Sequence, residues 1–335
     1  MFSRALRSER TNSDDCTNDG THLGADTSSS LSATLVADRF RSLSMWLLLA
    51  NCLIAAVLAI AFNVRIDPTG SAIVVWAIAA MLLASRVWWD QVGHHALADA
   101  SGTIGVVSLA AMSGGAIAML ELRFGFPIRD SMLRSADLVL GIDGNAVVQE
   151  LVRGARWTFW IMAPAYNFTI PIFFAGLVLL SLRGDRIEAW RAAFCFVGTL
   201  MTTCAVAAFV PAKGLGVWAS PTLLAQLPDQ AMRTFWPHFD EFYYGGHPVL
   251  RLEVIDGVIS FPSFHAVVGF LTVAMWRTRP LTFLAAGTYL AVMLVATLPG
   301  GGHYVIDLVA GFVVWAAWFA LSRIIEKRAT AAAAC

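Results

Sequence analysis

Between residues 43 and 322 the chain returns repeatedly to apolar runs of about 20 residues, the length a helix needs to cross a hydrocarbon core. A backbone inside lipid must pair its own N–H and C=O groups, so runs of this kind fold as helices. Eight such runs are present, at 43–63, 70–88, 103–121, 157–181, 190–210, 260–276, 281–298 and 304–322. They predict an all-α, polytopic transmembrane helical bundle of about eight spans. Composition agrees: 14% of residues are charged, against about a quarter in an ordinary soluble domain. The 23 basic residues equal the 23 acidic ones, which offers no electrostatic footprint for nucleic acid. The five cysteines show neither metal nor disulfide spacing and read as packing residues.

Residues 1–42, rich in Ser, Thr, Asp and Asn, read as a disordered cytoplasmic tail. This stretch lacks the pattern of a cleaved signal peptide, so the first helix is expected to stay as an anchor. Two N-terminal transmembrane helices occupy 43–102, a larger membrane domain 103–325, and a short cytoplasmic tail 326–335. Arginines and lysines in short loops mark the cytoplasmic side. Arg39 and Arg41, Arg183, Arg186 and Arg191, Arg277 and Arg279, and Arg323, Lys327 and Arg328 all fall on one side of an eight-span chain. Both termini are then inside, in a plasma or inner membrane. The opposite side holds 122–156, 211–259 and the turn at 298–302. Within it, 127–142 reads as an amphipathic outer-surface helix with Met132, Leu133, Ala136, Leu138 and Leu140 on its apolar face.

Two polar motifs interrupt the apolar pattern on that outer side. "ISFPSFHAVVGF" (259–270) puts Ser263 and His265 at the start of the sixth span, and "TLPGGGHYVIDLVAG" (297–311) puts His303 and Asp307 at the start of the eighth. His303 and Asp307 are four apart and share a helical face. A carboxylate one turn below a histidine can hold one ring nitrogen and leave the other as base, nucleophile or ligand. Placing Asp307 in a span costs about 2.5–3.5 kcal/mol at mid-membrane, less near the interface, which suggests a use. The Gly300–Gly302 run permits close backbone approach and is expected to form an anion-cradling turn ahead of a helix start. Two histidines, a carboxylate, a serine and a glycine turn on one membrane face read as phosphoryl-transfer chemistry.

"FPSFH" and "GGHYVIDLVAG" resemble the second and third signature motifs of the type 2 phosphatidic acid phosphatase superfamily, commonly written PSGH and SRxxxxxHxxxD. The closer likeness is to the inositol phosphorylceramide synthase-like (inositolphosphotransferase) branch, with FPSxH and HYxxD. It covers 253–311, with a looser likeness of the flanking spans from about 103. The resemblance implies that His303 attacks phosphorus to form a phosphohistidine and that Asp307 orients it. It further implies that His265 protonates the leaving oxygen and Ser263 hydrogen-bonds the phosphoryl group. Two positions depart from the pattern. Ala296–Thr297 replaces the SR pair, and "KGLGVWASP" (213–221) matches KxxxxxxRP with Ser220 in place of arginine. The missing cations must come from elsewhere, and Arg251 and Lys213 rank ahead of Arg129, Arg134, Arg153, Arg156 and Arg233. Gly301 and Gly302 complete the expected substrate-binding set.

The reading is an integral-membrane lipid phosphatase or phosphotransferase acting on a lipid phosphate or phosphodiester at the outer leaflet, without a cofactor or metal. The acceptor is water or a small alcohol. An intramembrane serine protease would leave His265 and Asp307 unexplained and lacks the GxSG turn. A proton-coupled transporter would spread its ionisable groups through the bilayer depth rather than gather them at one face.

Overall fold

The computed structural model of the chain describes residues 20–67, 72–154, 158–228, 231–252 and 257–333. Its helices are α1 (Gly20–Ala61), α2 (Ala72–Gln91), α3 (His95–Leu120), α4 (Asp130–Val139), α5 (Gly144–Gly154), α6 (Thr158–Asn167) and α7 (Thr169–Leu182). They continue with α8 (Arg186–Phe209), α9 (Pro221–Leu224), α10 (Trp236–Tyr244), α11 (Phe264–Met275), α12 (Pro280–Gly301) and α13 (Val305–Ala333). The fold is nearly all-α. Among the described residues, the one sheet is a parallel pair of three-residue strands, β1 (Arg65–Asp67) and β2 (Val249–Arg251), with Arg65 opposite Val249.

Among the described residues, six helices are long and apolar enough to cross a membrane: α1 over Ala33–Ala61, then α2, α3, α8, α12 and α13. The other two expected spans take different forms. The fourth is the pair α6–α7, bent by 53° at Phe168. Pro171, in the first turn of α7, explains the break: it has no N–H to donate back to Asn167, and its ring crowds that carbonyl. The sixth, α11, has only 12 residues. The N-terminal expectation is corrected in part. Residues 20–42, read as tail, are drawn into α1, where Val36, Ala37 and Phe40 are buried. Residues 1–19 lie outside the described residues.

α8 is the central helix. It packs against α1, α3, α7, α11 and α13, and buries Trp190, Phe196 and Val197 among Phe40, Phe173 and Val267. α2 lies along α3 at the periphery. Polar groups inside this layer find partners, as lipid demands. The Asn51 side chain donates to Ala110 O at 3.1 Å and to Ser113 Oγ at 2.7 Å, tying α1 to α3.

The two ends of the bundle differ in chemistry. At one end Asp99 accepts from Arg186 and Trp190, Arg191 pairs with Glu188 and Glu326, Arg277 with Glu188, and Arg279 with Asp185. At the other end α4, α5, α9, α10 and the β pair form a cap over the end of α12 and the start of α13. Its apolar interior includes Leu133, Val148, Leu215, Met232, Leu298 and Tyr304.

Candidate active site

The site forms where α12 stops, α13 begins and α11 starts beside them. Gly302 ends α12 in the left-handed region (φ 69°), and its N–H donates to Leu298 O at 3.1 Å. The expected glycine turn is therefore corrected: Gly300 and Gly301 are the last turn of a helix and Gly302 is its C-cap. Such an end presents carbonyls rather than free amides. Leu215 N–H donates to Gly302 O and Met232 N–H to Gly300 O. Closeness is what the missing side chains permit. A Cβ on Gly301 would stand 2.7 Å from Tyr166 Oη and 2.9 Å from His303 Cδ2.

Asp307 organises the next turn. Its Oδ2 accepts from Tyr304 N–H at 2.9 Å, the reach-back of a capping box, and from Ser260 Oγ at 3.0 Å. Ser263 N–H donates to the Asp307 carbonyl at 3.0 Å, which ties the mouth of α11 to α13. His303 Nδ1 lies 2.9 Å from Ser260 O and 3.3 Å from Asp307 Oδ2. A carbonyl oxygen only accepts, so Nδ1 carries the proton and Nε2 keeps the lone pair. Both side chains are buried. The His265 ring lies 6.3 Å from that of His303 and stacks on Tyr166 at 4.2 Å.

Both histidines line a cavity of about 440 Å³. One part is polar, with Tyr166, Asn167 and Thr234 beside Gly300 and Gly301. The rest is apolar, walled by Ala111, Gly115 and Ala118 of α3, Ile170 of α7, Phe196 and Leu200 of α8, and Phe264 of α11. Its size and mixed lining are those of a small-molecule pocket.

Other expected residues lie elsewhere. Ser263 is fully buried; its hydroxyl caps α11 by accepting from Ala266 N–H at 3.4 Å, and it is not among the described cavity-lining residues. Lys213 Nζ pairs with Asp240 at 2.5 Å and sits over the Trp236 ring at 5.1 Å. Arg251, at the end of β2, pairs with Glu241 at 3.1 Å. Neither cation lines the cavity, so the structure does not bring the two top-ranked phosphate ligands to the histidines. Arg134 lies over Trp218 at 4.7 Å, Arg153 pairs with Glu150, and Arg156 is outside the described residues. Thr297, in place of the expected arginine, is buried and donates to Leu294 O at 2.6 Å.

The amphipathic segment is helical, but its buried face is Asp130, Leu133 and Asp137, while Met132, Leu138 and Leu140 are exposed. Those aspartates are what hold the site. Asp137 accepts from Val305 and Ile306 N–H at 2.9 and 2.8 Å, satisfying the first free amides of α13. Asp130 accepts from Lys213 and Gly214 N–H and from Tyr304 Oη, and Trp218 Nε1 donates to the same hydroxyl. Burial pushes both carboxyls upward, and the donated amides oppose that shift. The linear pattern carried one signal of this: Asp130 and Asp137, seven apart, share a face of an otherwise apolar helix. Ser260 and Tyr166 carried none.

A model of the PAP2 superfamily matches residues 131–321, the stretch that supplies His265, His303, Asp307 and Asp137 of α4. The chain belongs to the PAP2 superfamily, and its apolar helices make it an integral membrane protein of that family. No curated protein and no solved structure matches it.

Proposed function

We propose that the protein is a membrane phosphoesterase or phosphotransferase acting on a lipid phosphate or phosphodiester, with His303 as nucleophile and His265 as acid. The observation that carries this is the His303 ring. Its Nδ1–H is engaged by Ser260 O and Asp307, and it faces His265 across a cavity with a long apolar part. The His303 Nε2 lone pair attacks phosphorus as the P–O bond to the lipid breaks. His265 gives its proton to the departing oxygen, which leaves as an alcohol. Asp307 and Ser260 O stabilise the cationic ring of the phosphohistidine. In the second half His265 takes a proton from water or an alcohol, whose oxygen attacks phosphorus as the P–N bond breaks. The electron pair returns to His303. The apolar wall of α3, α7 and α8 accepts the hydrocarbon of the lipid.

Transfer to a small alcohol, the inositolphosphotransferase-like variant, follows the same steps with a different acceptor. Against the protease reading, Ser263 is fully buried, its hydroxyl accepts from Ala266 N–H, and it is not among the described residues that line the cavity. A head-group-labelled lipid phosphate, incubated with purified protein with and without inositol or diacylglycerol, separates the outcomes. Free phosphate means hydrolysis, and a labelled lipid or inositol phosphate formed only with acceptor means transfer. Neither product from any lipid phosphate or phosphodiester would sink the proposal.

A further inference from the structure

A phosphoryl group in transit carries negative charge on three equatorial oxygens, and preorganised donors aimed at those oxygens supply much of the catalysis. No lysine or arginine lines the cavity among the described residues, and the glycine run offers it a helix C-terminus. Among the described residues, the donors on the cavity wall are neutral protic groups. One of them is held with unusual economy of means.

Tyr166 is the penultimate residue of α6, two before the break at Phe168, and α6 packs against α12. Its ring lies flat against His265, with 4.2 Å between centroids and 21° between planes. The same ring lies along the bare backbone of Gly300 and Gly301, so close that a Cβ on Gly300 would stand 3.1 Å from Tyr166 Cγ. The hydroxyl therefore reaches the edge of Gly301 that the His303 ring also touches. Tyr166 lines the cavity beside both histidines. A phenol O–H is a good donor, and a ring seated by stacking can offer it to a ligand.

The geometry points to Tyr166 as a further catalytic residue, its hydroxyl donating to an equatorial oxygen of the phosphoryl group while that group is bound between His303 and His265. This rests on the phosphoryl-transfer reading above. No bond to Tyr166 forms or breaks; its proton stays on the phenol oxygen throughout. The glycines at 300 and 301 then have a specific use, since any side chain there would displace the ring from both histidines.

Tyr166→Phe removes the oxygen and keeps every stacking atom. With purified protein and a lipid phosphate, kcat should fall on the order of a hundredfold, the scale for loss of one preorganised donor. KM should stay within about threefold, because the contact strengthens in the transition state. The inhibition constant for orthovanadate, a trigonal-bipyramidal mimic, should rise with the loss in kcat, whereas that for inorganic phosphate should move much less. Unchanged kcat and unchanged vanadate inhibition in a monodisperse Tyr166→Phe protein would overturn the assignment alone. So would a variant that cannot be extracted folded, since the hydroxyl would then be a structural partner. A wild-type protein that neither turns over a phosphate ester nor responds to vanadate would instead remove the functional reading, and this assignment with it.

Discussion

The Nδ1–H of His303 has two acceptors, and the nearer is a backbone carbonyl rather than the carboxylate. Asp307 serves more than one turn of structure: it receives Tyr304 N–H and Ser260 Oγ on the oxygen that faces the ring. If His303 is the nucleophile, His303→Ala should abolish the acid-labile phosphoenzyme trapped from a labelled lipid phosphate. His265→Ala should cost about 10²–10⁴-fold on alkyl phosphates and much less on an activated aryl phosphate, whose leaving group scarcely needs a proton. Equal losses on both substrates would remove His265 from the acid role. Asp307→Asn keeps the shape but weakens the hold on the ring, and turnover should fall by about a thousandfold or more. The His303–Asp307 pair was legible in the sequence because four residues is one helical turn. Ser260 was not, because its ring contact is made by a carbonyl, which every residue has.

At the scale of the elements, α4 sets the position of α13. A helix start buried without acceptors for its first amides is costly, and here Asp137, on a helix far away in the chain, accepts two of them. Asp137→Ala should destabilise the detergent-solubilised protein by about 1–2 kcal/mol, read as a lowered midpoint of unfolding. His303 lies two residues before Val305, so turnover should fall as well. Asp137→Asn, which keeps one acceptor oxygen, should recover part of both losses. Lys213 behaves differently. Its ammonium is paired with Asp240, whose carboxylate is exposed, and solvent-screened pairs of this kind contribute about 0–1 kcal/mol. Lys213→Gln and Arg251→Gln should leave turnover within about threefold, against the hundredfold that a preorganised phosphate ligand would cost. Motif spacing ranked Lys213 highly, and nearness to the FPSFH motif ranked Arg251. Where their side chains point is settled by Asp240, Glu241 and the aromatic face of α10, none of which the motif spacing includes. The hydrophobic face expected of α4 failed for a related reason: its two aspartates found amide donors on other elements, and those partners decided which face went inward.

Across the whole molecule, the bundle has an ion-paired end and an end that holds the candidate site. Eight apolar runs were legible as helices because lipid-length hydrophobicity needs no tertiary partner. The bend at Phe168 and the shortness of α11 were harder to read, because both depend on how the chain accommodates the site. Arg186, Arg191, Arg277, Arg279 and Arg323 gather at the end away from His303, each paired with a carboxylate. On the positive-inside bias we propose that this end lies in the cytoplasm and the cavity with its histidines on the outer side. The test needs a reporter that disturbs nothing. A cysteine in the Gly300–Gly302 turn would strike Tyr166 or strain the left-handed cap, whereas Gly246 is exposed in the outer cap with open space around its Cα. In a background lacking Cys16, Cys52 and Cys335, Gly246→Cys should react with a membrane-impermeant maleimide in intact cells. Cysteine placed at Thr278, exposed in the short turn between α11 and α12, should react only after permeabilisation. The reverse pattern would put the candidate site in the cytoplasm, and labelling of both in intact cells would remove the opposition of the two ends.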